Sequence, residues 1–223
     1  MFSIKQIKAD AKNAMAGNYG YALLGMILLA LVMLGGGIAL GLGAIVVGGA
    51  VTACRTIMYL NVAKGQFKGV DSLYDGFKHF WRAFKLMLWQ LLFGFVFFVA
   101  FSILFLLLGK ISVFVSVIGG NIILAIYSLA FACTAAYLLI KFSFSRFFIV
   151  DRPELTALQC VKESFKLTKK RFFKLLGYHL SFILWWLGCL FTLGLLNLRY
   201  APYKATADAY VYLSLQIKDS KRG

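Results

Sequence analysis

Acid is the residue class this sequence has least of. Only eight of its 223 residues are Asp or Glu, against 24 Lys or Arg. Histidine occurs twice, at His79 and His179, and proline twice, at Pro153 and Pro202. Hydrolysis and group transfer normally use paired acids, histidine or an activated nucleophile, so this scarcity argues against an enzyme. No phosphate loop, metal signature or nucleophile motif is present, and no cofactor is expected. The four cysteines (Cys54, Cys133, Cys160, Cys189) are scattered without C-x-x-C spacing. They imply neither a metal site nor a disulfide framework and read as small apolar packing residues.

What abounds is apolar surface. The chain is 61% hydrophobic and 14% charged, with mean hydropathy +0.83. Soluble domains are nearer half apolar and about a quarter charged, so an all-α polytopic membrane protein is expected. A net charge of +16 would suggest nucleic acid in a soluble chain. Here the basic residues sit in blocks between apolar runs of spanning length, where they orient the protein and touch anionic lipid. Anionic membrane lipid, or another membrane protein, is therefore the expected partner, and nucleic acid is not.

Residues 1–18 read as a basic amphipathic helix with Phe2, Ile4, Ile7, Ala11 and Met15 on one side. A signal peptide would pass straight from a short basic region into an apolar core, so no cleavage is expected. The run from Tyr19 to Val62 is too long for one span and too short for three, since a crossing needs about 20 residues. Gly35-Gly36-Gly37 is the natural turn, giving spans at 19–36 and 40–62. Glycines at 41, 43, 48 and 49 leave the second span with a bare face that another helix can approach. Further spans are expected at 84–108, 112–140, 173–196 and 201–217, with cytoplasmic loops at 63–83 and 141–172. Gly109-Lys110 and Asn197 to Pro202 serve as turns, and Gly119-Gly120-Asn121 as a kink or late start. The whole chain, 1–223, is then one six-span domain. Twenty of the 24 basic residues fall in the N-terminus, the basic blocks 63–85 and 141–174 and the C-terminal tail, leaving Arg55, Lys110, Arg199 and Lys204. Six spans place all four basic blocks and both termini in the cytoplasm.

The segment Lys141–Lys174 carries nine basic residues and three acids between two apolar runs. Asp151-Arg152-Pro153-Glu154 reads as a helix start, with Asp151 capping, Pro153 in the first turn and Glu154 completing a capping box. Leu155, Leu158, Val161, Phe165, Thr168 and Phe172 then share one face, and Glu163, Lys166 and Lys170 another. This is the pattern of a membrane-surface helix. Lys162, Lys166, Lys169, Lys170, Arg171 and Lys174 are its expected lipid contacts. Ala11–Leu29, Gly76–Gly94 and Ser164–Phe182 each run from a basic amphipathic stretch into a span. Together they suggest a faint threefold repeat of surface helix plus transmembrane hairpin.

Ionised groups in hydrocarbon are costly and usually partnered, which singles out Arg55, Lys204 and Asp208. Asp208 is the one acid outside the cytoplasmic segments. Arg55 lies at a compatible depth, and Lys204 stands four residues before Asp208 on the same helix face. The charges form either a bridge that pins the last helix to the bundle or a polar pathway between spans two and six. His179, beside Tyr178 in the fifth span, reads as an interfacial hydrogen-bonded residue, and His79 as a solvated one.

The series Val150-Asp151-Arg152-Pro153-Glu154-Leu155, Ser164, Leu180-Ser181-Phe182 with Trp185, Thr192-x-Gly194, and Pro202-Tyr203 with Ala205, Ala209 and Tyr212 resembles a bacterial family of integral membrane proteins catalogued as a domain of unknown function. Lys8-Ala9-Asp10-Ala11-Lys12 with Gly17-Asn18 fits it too. The family is loosely similar to the membrane domain attached to some glycerophosphodiester phosphodiesterases. Two positions depart from its pattern: Gly119-Gly120 stands where the family tends to Pro-Gly, and Lys170 where it has glycine. The resemblance implies six spans in a bacterial plasma membrane and no catalytic residues. The expected function is a non-enzymatic one that engages lipid or a membrane partner: envelope maintenance, support of a transporter, or protection against membrane-active peptides. The alternative is a small transporter or channel for a lipid or anionic solute.

Overall fold

The computed structural model describes residues 3–38, 42–67, 69, 71, 74–114, 117–169, 171–192 and 194–220, and their regular structure is entirely helical. In chain order the helices are α1 (Ile4–Met15), α2 (Tyr19–Ile38), α3 (Leu42–Ala63), α4 (Tyr74–Phe77), α5 (Phe80–Phe114), α6 (Val117–Phe142), α7 (Ser145–Asp151), α8 (Ala157–Lys169), α9 (Phe172–Leu180), α10 (Ile183–Phe191) and α11 (Leu195–Ser220).

Three stretches, Phe80–Gly109, Ile122–Asp151 and Phe172–Phe191, are long and apolar enough to cross a membrane. The pair α1 and α2, bent by 88°, makes a fourth if taken together. These helices turn large apolar side chains outward: Phe95 is 66% exposed, Leu129 66% and Phe191 88%. A surface this apolar over several whole helices suits hydrocarbon and not water. The chain is built as a membrane protein. At about 1.5 Å per residue, the 35-residue α5 is on the order of 50 Å long, well beyond a hydrocarbon core of about 30 Å.

The structure corrects several turn positions. α2 runs straight through Gly35-Gly36-Gly37, and the connection to α3 falls at 39–41, outside the described residues. α5 likewise continues through Gly109 and Lys110, and α6 begins at Val117 rather than 112. Glycine in an apolar helix surrounded by other helices or lipid need not break it, because no water competes for the backbone hydrogen bonds. The fifth apolar run is two helices, broken at Ser181–Phe182. Lys8 of α1 covers that break, donating to the Ser181 carbonyl at 3.0 Å while lying over the Phe182 ring.

The last break is at Gly194, with φ +87°, so Asn197 to Pro202 lie inside α11 and do not interrupt it. Proline at 202 cannot donate to the carbonyl four residues back, that of Leu198. The Tyr19 hydroxyl at the start of α2 donates to this freed oxygen at 3.1 Å. One side chain thus repairs the helix and ties it to α2.

α3 is the hub, packed against α1, α2, α4, α5, α7 and α11. Its expected bare face is real at the positions described. A Cβ on Gly49 would lie 2.8 Å from the Phe84 backbone of α5, and one on Gly48 would press on Met87. From the other direction, Gly76 of α4 sits so close that a Cβ would come within 2.4 Å of the Cys54 backbone.

α8 starts later than expected. Its first turn is closed by Thr156 and Gln159: the Thr156 backbone N–H donates to Gln159 Oε1 at 2.8 Å, and the Gln159 N–H returns to Thr156 Oγ1 at 3.4 Å. Asp151 is instead the last residue of α7. Its buried face is Ala157, Cys160, Val161, Ser164, Leu167 and Thr168; of the residues expected on it, only Val161 and Thr168 are buried. In α1, Ile7, Ala11 and Met15 are buried as expected, whereas Phe2 lies outside the described residues.

Candidate functional site

Three elements converge on Asp208 of α11. Lys204 is one turn earlier on the same helix and its ammonium bonds Asp208 Oδ1. Arg146 reaches in from α7 and donates from Nη2 to Oδ2 at 3.0 Å. Tyr178 of α9, fully buried, donates its hydroxyl to Oδ1 at 2.9 Å. The carboxylate side chain is 11% exposed, so it accepts three bonds in a largely dry setting. Charged acceptors held by several donors are the form in which an ion survives burial.

Arg55 is not among those donors: of the two candidate partners of Asp208, Arg55 and Lys204, Lys204 is the one that bonds the carboxylate. Arg55 makes no hydrogen bond or ion pair with any described residue; its Nε is buried and unpartnered, and its guanidinium lies 6.0 Å from the Tyr59 ring centre. The Arg146 Nε is unpartnered as well. His179, expected to be hydrogen-bonded, has a buried Nε2 with no partner among the described residues. The cluster therefore holds three cations, Arg55, Arg146 and Lys204, around one carboxylate.

Cavities border it on three sides. One of about 820 Å³ lies between α2 and α3 and is lined by Arg55 and Arg146 together with Met26, Leu29 and Met33. A second, of about 620 Å³, lies between α3 and α5 and also reaches Arg146. A third, of about 330 Å³, is bordered by His179 and Lys204.

A separate polar network closes one end of the bundle. Asp151 accepts from Lys64 at 2.8 Å, from Gln216 at 2.8 Å and from Tyr212 at 3.2 Å, so the segment just after α3, the end of α7 and α11 meet at one carboxylate. Arg82 of α5 donates to the carbonyls of Ile149, Arg152 and Leu155, satisfying the open end of α7. His79, expected to be solvated, is half-buried; burial and the neighbouring Arg82 charge hold its pKa below the ordinary histidine value.

Of the expected lipid contacts, Lys162, Lys166, Lys169 and Lys174 are exposed, and Lys166 bonds Glu163 at 2.6 Å. Arg171 is half-buried and donates to the Leu215 carbonyl of α11 at 3.2 Å. Lys170 lies outside the described residues.

The profile of the family described as protein of unknown function, DUF975, matches residues 1–219. The chain belongs to the DUF975 family. No curated protein and no solved structure matches it. The likeness to the membrane domain of glycerophosphodiester phosphodiesterases gains no support from these comparisons. For a DUF975 chain the site must therefore be read from its own side chains.

Two residues of that site were not legible beforehand. Arg146 is 62 positions from Asp208 and stands in a basic block that charge alone assigns to a loop. Tyr178 carries no charge, and its only sequence signal is a tyrosine inside an apolar run facing the turn that bears Asp208.

Proposed function

We propose that this protein is a non-enzymatic integral protein of a bacterial plasma membrane that engages anionic lipid through basic helices on its cytoplasmic side. Six membrane crossings with both termini in the cytoplasm is the topology that gathers the basic blocks on one face. Basic residues lead into apolar helices at three places, in α1, at Lys78, Arg82 and Lys85 around the start of α5, and in α8, which fits a threefold surface-helix-plus-hairpin plan.

The observation that carries the reading is the placement of α8. Its buried face packs on the bundle, while Lys162, Lys166 and Lys169 stay exposed. Beside it runs an apolar groove of about 650 Å³ between α5, α6 and α8, lined by Phe93, Phe97, Leu138 and Phe165 with Lys162 and Lys166. Acyl chains suit the groove, and phosphate groups suit the lysines above it. A role in envelope maintenance, as a transporter accessory or in protection against membrane-active peptides would use such a surface.

A second reading, a small transporter or channel for a lipid or anionic solute, is favoured by the two cavities that meet at Arg146.

The test is binding of a peptide spanning Asp151–Lys174 to vesicles. Each basic residue near an anionic surface contributes about 1 kcal/mol, screened by salt. Phosphatidylglycerol vesicles should bind it far more tightly than phosphatidylcholine vesicles, and salt should narrow the gap. Equal binding to both, at low and high salt, would leave only apolar insertion and remove the proposed lipid selectivity.

A further inference from the structure

We propose that the cavity between α2 and α3 is a binding site for one anionic phospholipid, whose phosphate is held by Arg55 and Arg146. Three half-buried cations, Arg55, Arg146 and Lys204, are gathered near the single carboxylate of Asp208, and that carboxylate is already taken by Lys204, Arg146 and Tyr178. Positive charge is left over, and it is left over at a particular place. Arg55 has no acceptor among the described residues, Arg146 keeps a free Nε, and both side chains line the same cavity of about 820 Å³. An unneutralised guanidinium at membrane depth is costly, and a bidentate phosphate is the anion its planar fork fits best.

Among the described residues, no carboxylate lines the cavity. Thr52 and Thr56 line it too, but their hydroxyls donate to the Gly48 and Thr52 carbonyls at 2.8 Å and 2.7 Å. What remains is apolar: Met26, Leu29, Ala30, Met33 and Val51, with Leu34 62% exposed at the rim. This wall continues into the outward face of α2, where Leu31 is 58% exposed. A free inorganic anion gains nothing from such a wall, whereas an acyl chain can run from the cavity into the surrounding hydrocarbon. Two guanidinium groups favour a headgroup of net negative charge over phosphatidylcholine, whose own choline cation would be brought toward them. The volume lies within the range of pockets that hold small organic ligands. The site rests on the reading of a lipid-engaging membrane protein but not on α8, so the vesicle experiment and the one below can fail separately.

The test is native mass spectrometry of the full chain in detergent, titrated with phosphatidylglycerol, phosphatidylcholine or inorganic phosphate. Wild type should take up one phosphatidylglycerol in preference to phosphatidylcholine, and inorganic phosphate at the same concentration should not displace it. Arg55→Gln should weaken phosphatidylglycerol binding by about tenfold or more, as expected for loss of a charged hydrogen-bonding partner. Ala30→Trp fills the cavity from α2 while leaving both arginines in the chain and should give a similar loss, which covers the case in which Arg55→Gln misfolds. Lys78→Gln, an exposed position paired with Asp75, is the control that leaves binding unchanged. Wild-type affinity in both Arg55→Gln and Ala30→Trp, or displacement of the lipid by inorganic phosphate, would overturn the proposal.

Discussion

Asp208→Asn should be the most destabilising single-charge change in the chain. The carboxylate accepts from Lys204, Arg146 and Tyr178, and among the described residues no other acid is bonded to Lys204 or Arg146. Removing it leaves Arg146 and Lys204 without their acceptor beside Arg55, in a half-buried setting. Breaking a buried pair by deleting one partner costs about 3–5 kcal/mol. For a chain of this size that corresponds to a fall in Tm on the order of 10 °C. Lys204→Gln and Arg146→Gln should each cost less, because the carboxylate keeps two donors. Combined with Asp208→Asn, either one should recover part of the loss, the coupling expected of groups in direct contact. Arg55→Gln should couple more weakly with Asp208→Asn, since the two side chains share no bond. Thermal unfolding in detergent for the four singles and three doubles measures this, and a largest coupling at Arg55 would show that Arg55 is the true partner.

The second large effect is steric. Adding a Cβ at Gly76 would place it 2.4 Å from the Cys54 Cα, and at Gly49 it would meet the Phe84 backbone at 2.8 Å. Neither obstacle is the flexible end of a side chain, so the helices themselves must separate. Overpacking by a methylene costs about 1–3 kcal/mol when side chains can yield, and more when backbone must move. Gly76→Leu and Gly49→Val should therefore cut the yield of folded, monodisperse protein severely. Gly94→Val on the outward side of α5, where a Cβ meets nothing within 4 Å, should be tolerated. Equal yields for all three would mean that α3 does not pack as closely as the distances state.

These two results bear on how far the fold can be read from residues alone. The helical stretches were legible because each is a long apolar run, and the observed α2, α3, α5 and α6 overlap the expected spans. Their ends were not. A glycine triplet is a turn signal in water, but α2 absorbs it because in hydrocarbon nothing replaces a broken backbone bond. The helix start at Asp151 was misplaced for a related reason. The T-x-x-Q pattern of Thr156 and Gln159 lay in plain view, but the competing D-x-x-E pattern is as good a local signal. What decides between them is tertiary: Asp151 is engaged by Lys64 just after α3 and by Tyr212 and Gln216 of α11.

The charged cluster was half legible for the same kind of reason. Burial cost alone identifies Asp208 and Arg55, and helical periodicity identifies Lys204. Neither argument finds Arg146, because its block is basic for reasons of topology as well. α7 folds back against α3 and carries that one arginine inward while Arg152, at the end of the same helix, stays exposed.

The measurement that bears most directly on lipid engagement is the composition of the lipid that travels with the protein. The full chain, extracted from bacterial membranes into polymer-bounded discs without detergent, would be purified and its lipids quantified against the bulk membrane. Anionic phospholipid should be enriched around wild type, and the enrichment should shrink when Lys162, Lys166 and Lys169 are all changed to Gln. A disc composition equal to the bulk membrane, unchanged by those substitutions, would contradict the account.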